Sequence, residues 1–183
     1  MPYRIAALPK QEANIFEVSS TDMATIVVRC VDVGGPIHRD LLTRRILDSW
    51  GYRRSGVKLN AHISLGIAKA AELRRISFRG EFCWPSPAGT VIPRGASSEG
   101  WLREIGQIPE EEIIEGIVTI LERAYSLTED ELLIHTTRLF GFQRTGSDIV
   151  RRVTAAIRLA KVQERLQDRN GWLQLSEGKR LSK

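Results

Sequence analysis

The hexapeptide GYRRSG at Gly51 to Gly56 returns as GFQRTG at Gly141 to Gly146, ninety residues later in a chain of 183. A period of this length asks for two copies of one supersecondary unit. The apolar positions keep the same register. Met23, Val27 and Val31 stand against Ile113, Ile117 and Leu121, Asp40 and Leu42 against Asp130 and Leu132, and Trp50 against Phe140. Downstream, Leu59, Ile63, Ile67 and Ala70 match Ile149, Val153, Ile157 and Ala160. A one-residue insertion then sets Gly80 and Phe82 against Gly171 and Leu173.

Each copy parses in the same order. In the first, Asp22 is placed to cap a helix running to about Val33, which the glycines Gly34 and Gly35 end by accepting positive φ. Pro36 and Ile37 lead into a second helix from Arg39 to Trp50, whose Leu42, Ile46 and Trp50 form an apolar stripe. A third helix, about Val57 to Arg74, is followed by ISFRGEFCW, which alternates around Arg79 and Gly80 as a hairpin does. In the second copy, Pro109 and three glutamates start a helix that reaches about Tyr125. Thr128 caps the next helix, a long helix spans Ser147 to about Gln167, and Asn170-Gly171 supplies a type I′ hairpin turn. Helix, helix, helix, hairpin is the winged-helix order. The expected class is therefore mostly α with small β-hairpin wings, in two tandem winged-helix-like repeats.

The expected boundaries are an N-terminal extension at 1–18, repeats at 19–86 and 108–177, a connector at 87–107 and a tail at 178–183. The stretch from Pro85 to Gln107 holds Pro85, Pro87 and Pro93 among glycines and serines, so it reads as an extended connector. No segment approaches the length of a membrane span and MPYRIAALPKQE lacks a signal peptide's apolar core, so no membrane contact and a cytoplasmic location are expected. Cys30 and Cys83 fall in helix and strand interiors, where buried free thiols are expected.

Catalytic chemistry finds little support. The three histidines are scattered, and none has a second ligand type at metal spacing. His38, beside Pro36 and Ile37, reads as a packing or capping residue, His62 as lying on the polar side of its helix, and His135 as partly buried between helices. Glu110, Glu111 and Glu112 are explained by the positive end of a helix dipole without a hydrolytic pair. GYRRSG and GFQRTG lack the lysine and hydroxyl of a phosphate-binding loop and follow no strand. Neither an enzyme nor a cofactor is expected.

The net charge of +5 is unevenly spread: Pro93 to Gly146 is acidic on balance, whereas the first half and the stretch from Ser147 are basic. Along the last long helix, Arg151, Thr154, Arg158, Lys161 and Arg165 recur at steps of three and four, away from Ile149, Val153, Ile157 and Ala160. The third helix of a winged-helix unit is the one offered to the duplex groove, and its cations release counterions from phosphates. In the first copy Lys58 and the loop residues Arg53 and Arg54 carry the charge, and Arg79, with Arg74 and Arg75, adds the wing's contribution. Trp50, Phe82 and Trp84 fall at core or strand positions rather than between these cations, which favours duplex DNA over stacking on single strands. The competing expectation is a protein-interaction adaptor working through the winged-helix surfaces, which an exposed apolar patch would favour.

At GGPIHRDLLTRRILDSWGYRRSGVKL and LFGFQRTGSDI the sequence resembles a bacterial domain-of-unknown-function family numbered 3320, over most of the chain. The resemblance implies an accessory part, non-catalytic in itself, at the C-terminal end of large superfamily-I helicase-like proteins, often beyond a nuclease-like domain. Nucleic acid, together with helicase or nuclease partner domains or chains, are the partners so implied.

Overall fold

The computed structural model describes residues 1–176; the expected tail at 178–183 lies outside the described residues. The chain divides into a unit of residues 4–90 and a second unit made of residues 1–3 together with residues from 91 onward. The first strand, β1 (Pro2–Tyr3), thus belongs to the C-terminal unit.

The N-terminal unit follows with α1 (Ser20–Gly34), β2 (Ile37–His38), α2 (Arg39–Ser49), α3 (Val57–Glu72), β3 (Ile76–Arg79) and β4 (Phe82–Pro85). The C-terminal unit contributes β5 (Gly95–Ser97), α4 (Glu110–Ala124), β6 (Ser126–Leu127), α5 (Glu129–Leu139), α6 (Ser147–Val162), β7 (Leu166–Arg169) and β8 (Trp172–Leu175). Each unit closes its three helices with a three-stranded antiparallel sheet, in the orders β2-β4-β3 and β6-β8-β7. These are two tandem winged-helix-like repeats. The strands β2 and β6 are too short to show alternation, which is why sequence periodicity reveals only the hairpins.

The two copies correspond at a constant offset of ninety through the wing, with no insertion. Ile37 pairs with Cys83 as Leu127 pairs with Leu173, and Arg79 pairs with Phe82 as Arg169 pairs with Trp172. Gly80 therefore matches Asn170, not Gly171: their φ angles are 54° and 55°. The second hairpin places Gly171 as well at positive φ (86), as the expected type I′ turn requires. Matching glycine to glycine misplaces the register because asparagine tolerates the left-handed conformation nearly as well.

The register positions form the cores. Met23, Val27, Val31, Leu42, Ile46 and Ile63 are fully buried in one unit. Ile113, Ile117, Leu132, Val153 and Ile157 are fully buried in the other. Both cysteines are free and buried, and burial pushes each thiol up to about 11, so neither carries a reactive thiolate.

Several local details differ from expectation. Ser19, not Asp22, caps α1, accepting the Asp22 N–H at 3.1 Å. Gly34 and Gly35 do not take positive φ; at Gly35 a Cβ would strike the Val31 carbonyl, so close approach is what excludes a side chain. The third helices end at Glu72 and Val162, because Arg74 and Glu164 turn to positive φ (56 and 55) and reverse the chain into the sheet. His38 caps α2 by accepting the Asp40 N–H through Nδ1 at 3.2 Å, as expected. His62 is half-buried against the Phe16 ring rather than on a polar face, and His135 is exposed rather than partly buried.

Residues 87–107, read as an extended connector, divide between the units at Thr90. From Val91 they carry β5, which pairs in parallel with β1, a 3-10 turn at Ile105–Gln107, and two arginines that converge on Glu112. Glu112 is completely buried, and it does more than oppose a dipole. Arg94 donates to it from its backbone N–H (3.0 Å) and from its guanidinium (3.2 and 2.5 Å). Arg103, itself 2% exposed, adds bonds of 2.9 and 2.6 Å. Tyr3 covers both guanidinium groups, with centroid distances of 5.1 and 4.4 Å. Burial pushes the Glu112 carboxyl up, but the hydrogen bonds and charges of Arg103 and Arg94 outweigh it and hold its pKa below the usual carboxylate range.

Glu112→Ala removes the buried carboxylate to which Arg94 and Arg103 both donate and should cost the C-terminal unit about 3–5 kcal/mol, read from its denaturant midpoint. Because the folded pKa is depressed, Glu112 lends its stability above the ordinary carboxyl pKa of 4.5 and loses it as pH falls through the folded value. The variant's denaturation midpoint should therefore depend less on acid than the wild type's; an equal dependence would remove Glu112 from that role. In the N-terminal unit, a Cβ at Gly66 would overlap the Met23 side chain of α1, whereas the matching Ala156 of α6 is accommodated. Gly66→Val should then cost about 1–3 kcal/mol by overpacking, and an unchanged midpoint would show that α1 and α3 separate freely.

Candidate nucleic-acid interface

The expected cationic residues fall on separate units: Arg53, Arg54, Lys58 and Arg79 on the N-terminal one, Arg151, Arg158, Lys161 and Arg165 on the C-terminal one.

On α6 the buried residues are Val153, Ala156, Ile157 and Ala160. At 100° per residue, Arg151 and Arg158 lie opposite them, two turns and about 10 Å apart at a rise of 1.5 Å per residue. Both are exposed. Arg151 pairs with Asp148 at 2.8 Å, but both side chains are 73% exposed, so this is a weak surface pair that an incoming phosphate can displace. Arg158 has no ion pair among the described residues.

The other two cations of the stripe are engaged within the unit. Lys161 lies at the edge of the face, 3.2 Å from Asp168 and 3.7 Å from Glu129, and so ties α6 to the hairpin and to α5. Asp168 is held below the usual carboxylate range, first by the Gly171 backbone N–H and then by Lys161. Arg165 is not helical at all: it follows the end of α6 and donates twice to Glu115 of α4, at 2.6 and 3.1 Å. The three- and four-residue spacing that seemed to include it loses its meaning once the helix stops at Val162. Arg152, omitted from the sequence reading, is likewise engaged, donating to the Ile108 carbonyl at 2.6 Å.

Two neighbours were missed. Arg144 is exposed in the loop before α6, and the Gly146 N-cap offers no side-chain acceptor to the first N–H groups of the helix. Its signal was present in GFQRTG, as the counterpart of Arg54. Trp172 is 49% exposed beside the hairpin turn, where the matching Phe82 is half-buried. No alternation over so short a strand distinguishes the two.

On α3 the outward positions differ in kind. Ala61 and Ala68 stand where α6 has Arg151 and Arg158, next to Leu65 (61% exposed) and Val57 (88%). Lys58 is exposed in the first turn, and Arg53 and Arg54 are exposed in the preceding loop. Arg79 lies with its guanidinium 4.1 Å above the Trp84 ring, on the hairpin. The N-terminal unit thus carries one cation, Lys58, in the first turn of the outward face of α3, and the others in the preceding loop and on the hairpin. Among the described residues no group of His, Cys, Asp and Glu is placed to hold a metal, and no helix is long and apolar enough to cross a membrane.

These placements separate structural from available cations. Arg165→Ala should lower the stability of the C-terminal unit by about 1 kcal/mol through the lost pair with Glu115, while Arg158→Ala leaves it within about 0.5 kcal/mol. Thermal melts followed by circular dichroism check the contrast; equal shifts would mean that Arg158 has a partner.

No curated protein and no solved structure matches the chain. The model of the family described as protein of unknown function (DUF3320) matches residues 13–61, from the start of the N-terminal unit's first turn into α3. The match includes GGPIHRDLLTRRILDSWGYRRSGVKL and does not extend to LFGFQRTGSDI, so the likeness to that family lies in the first winged-helix-like unit rather than over most of the chain.

Proposed function

We propose that this chain is a non-catalytic, cytoplasmic nucleic-acid-binding module, directed to duplex DNA, that serves a helicase or nuclease system. The observation that carries the reading is the outward face of α6, where Arg151 and Arg158 stand exposed and one helical face apart from the core. In winged-helix geometry that face enters the major groove, and guanidinium groups at this spacing meet backbone phosphates or base edges. Arg144 and the uncapped first turn of α6 lie at the end of the same helix, where backbone N–H groups suit a phosphate oxygen. The exposed Trp172 and the Asn170-Gly171 turn belong to the wing, the second element such units lay along a duplex. The link to helicase-like proteins rests on the resemblance to the domain-of-unknown-function family.

Fluorescence anisotropy of labelled duplex DNA across a salt series tests this. Arg151→Glu/Arg158→Glu should weaken binding and flatten the log-log salt slope by roughly 1.8, at about 0.9 per lost phosphate contact. Lys161→Met, whose charge is already shared with Asp168 and Glu129, should change the slope far less. Absence of binding by the wild type at low salt would refute the reading.

A further inference from the structure

Trp172, at the tip of the β7–β8 hairpin, is 49% exposed and stands directly across the strand pair from Arg169. Alternation along β8 sends Leu173 and Leu175 into the core of the unit and turns Trp172 to the opposite face of the sheet.

The matching ring of the N-terminal unit is taken up internally. Phe82 is half-buried and meets the His38 ring edge-on, with centroids 5.2 Å apart, while Arg79 across from it lies 4.1 Å above the Trp84 ring. In the C-terminal unit Thr128 stands for His38, Gln174 for Trp84, and the larger Trp172 for Phe82. The rings that occupy the first wing are exchanged for polar side chains, and the aromatic at its tip is enlarged. One hairpin position thus packs inward in one copy and presents a bare ring to solvent in the other.

The tip is also tied to the cationic helix. Lys161 of α6 donates to Asp168 at 3.2 Å, and Asp168 accepts the Gly171 backbone N–H at 2.9 Å. Two consecutive contacts therefore join the helix bearing Arg151 and Arg158 to the turn beside Trp172, and the carboxylate at the tip is answered by a lysine.

We infer that Trp172 stacks on the exposed face of the last base pair at a duplex end, so that this module binds where a double strand stops. The inference rests on the reading of α6 as a duplex-binding face. Inside a continuous duplex each base is covered above and below by its neighbours, and the grooves offer base edges, sugars and phosphates. Unless base pairs are first pried apart, a flat apolar ring meets a flat partner only where that stacking ends. Such stacking is indifferent to which base is present, in keeping with a hairpin tip that offers a ring and a cation rather than a set of base-reading amides.

The test uses the full chain, an internally labelled blunt duplex, and as unlabelled competitor the same duplex biotinylated at both ends, either bare or capped by streptavidin. The wild type should bind the bare duplex at least about five-fold more tightly than the capped one, the lower bound for one base on an aromatic ring. Trp172→Leu should abolish this preference and leave affinity for the capped duplex unchanged, whereas Trp172→Phe should keep most of it. Arg151→Glu/Arg158→Glu should weaken both competitors and preserve their ratio. Circular dichroism melts confirm that each variant is folded. Equal wild-type affinity for bare and capped duplex would overturn the inference while leaving the α6 reading in place. A preference that survives Trp172→Leu, or a loss of equal size on both competitors, would also overturn it, and no binding of either duplex would remove both readings together.

Discussion

A carboxylate removed from water has to be answered by opposite charge, and Glu112 is answered twice. Arg94 and Arg103 donate to both of its oxygens, and Tyr3 closes the site from above. Three separate stretches of chain meet there: the first residues, the proline- and glycine-rich segment from Val91, and the first turn of α4. Because α4 supplies the core residues Ile113 and Ile117, and also Glu115 for Arg165, the position of α6 and its hairpin is set from the same helix. The N-terminal unit has Asp22 and Arg4 at the positions of Glu112 and Arg94 but Ala13 at that of Arg103, so this anchor is particular to the second copy.

The two copies show how one scaffold is turned to different surfaces by a few substitutions. Several core positions keep an apolar residue, with Leu42 and Leu132 identical and Met23 for Ile113 and Ile63 for Val153 exchanged, whereas the buried Ile46 and Leu47 of α2 become Thr136 and Thr137 in α5. Dense packing tolerates the apolar exchanges when volume is kept. Outward positions are free of that restriction. Ala61 and Ala68 against Arg151 and Arg158 exchange an apolar face for a cationic one, and Ala71 against Lys161 exchanges a short apolar side chain for an ion-paired clasp. The two outward faces thereby differ in chemistry, largely apolar on α3 and cationic on α6.

Much of this architecture was legible beforehand because the signals are local. Glycine pairs, capping residues such as Thr128 with Glu131, and apolar residues at helical spacing act within a few positions of one another. The third helices, the hairpins and the ninety-residue period were all readable on that basis. The strands β2 and β6 were not, since two residues carry no period, and the ends of α3 and α6 were overestimated because nothing in their composition marks Arg74 or Glu164 for positive φ. Cationic residues were the least legible. Arg151 and Arg165 look alike in sequence, and only the carboxylate that each meets, an exposed Asp148 or a part-buried Glu115, distinguishes them.

The sequence by itself therefore determined the repeat, the order of the helices and hairpins and the apolar stripes of the cores, because those follow from periodicity and from the conformational limits of single residues. The tertiary structure alone decided that residues 1–3 join the C-terminal unit, that Glu112 is a buried counter-ion, and that Arg158 is available while Lys161 and Arg165 are not. The physical reason is that charge neutralisation acts through space between residues far apart in the chain. A helical stripe lists the candidates for binding, and the neighbouring carboxylates settle which of them remain exposed to solvent.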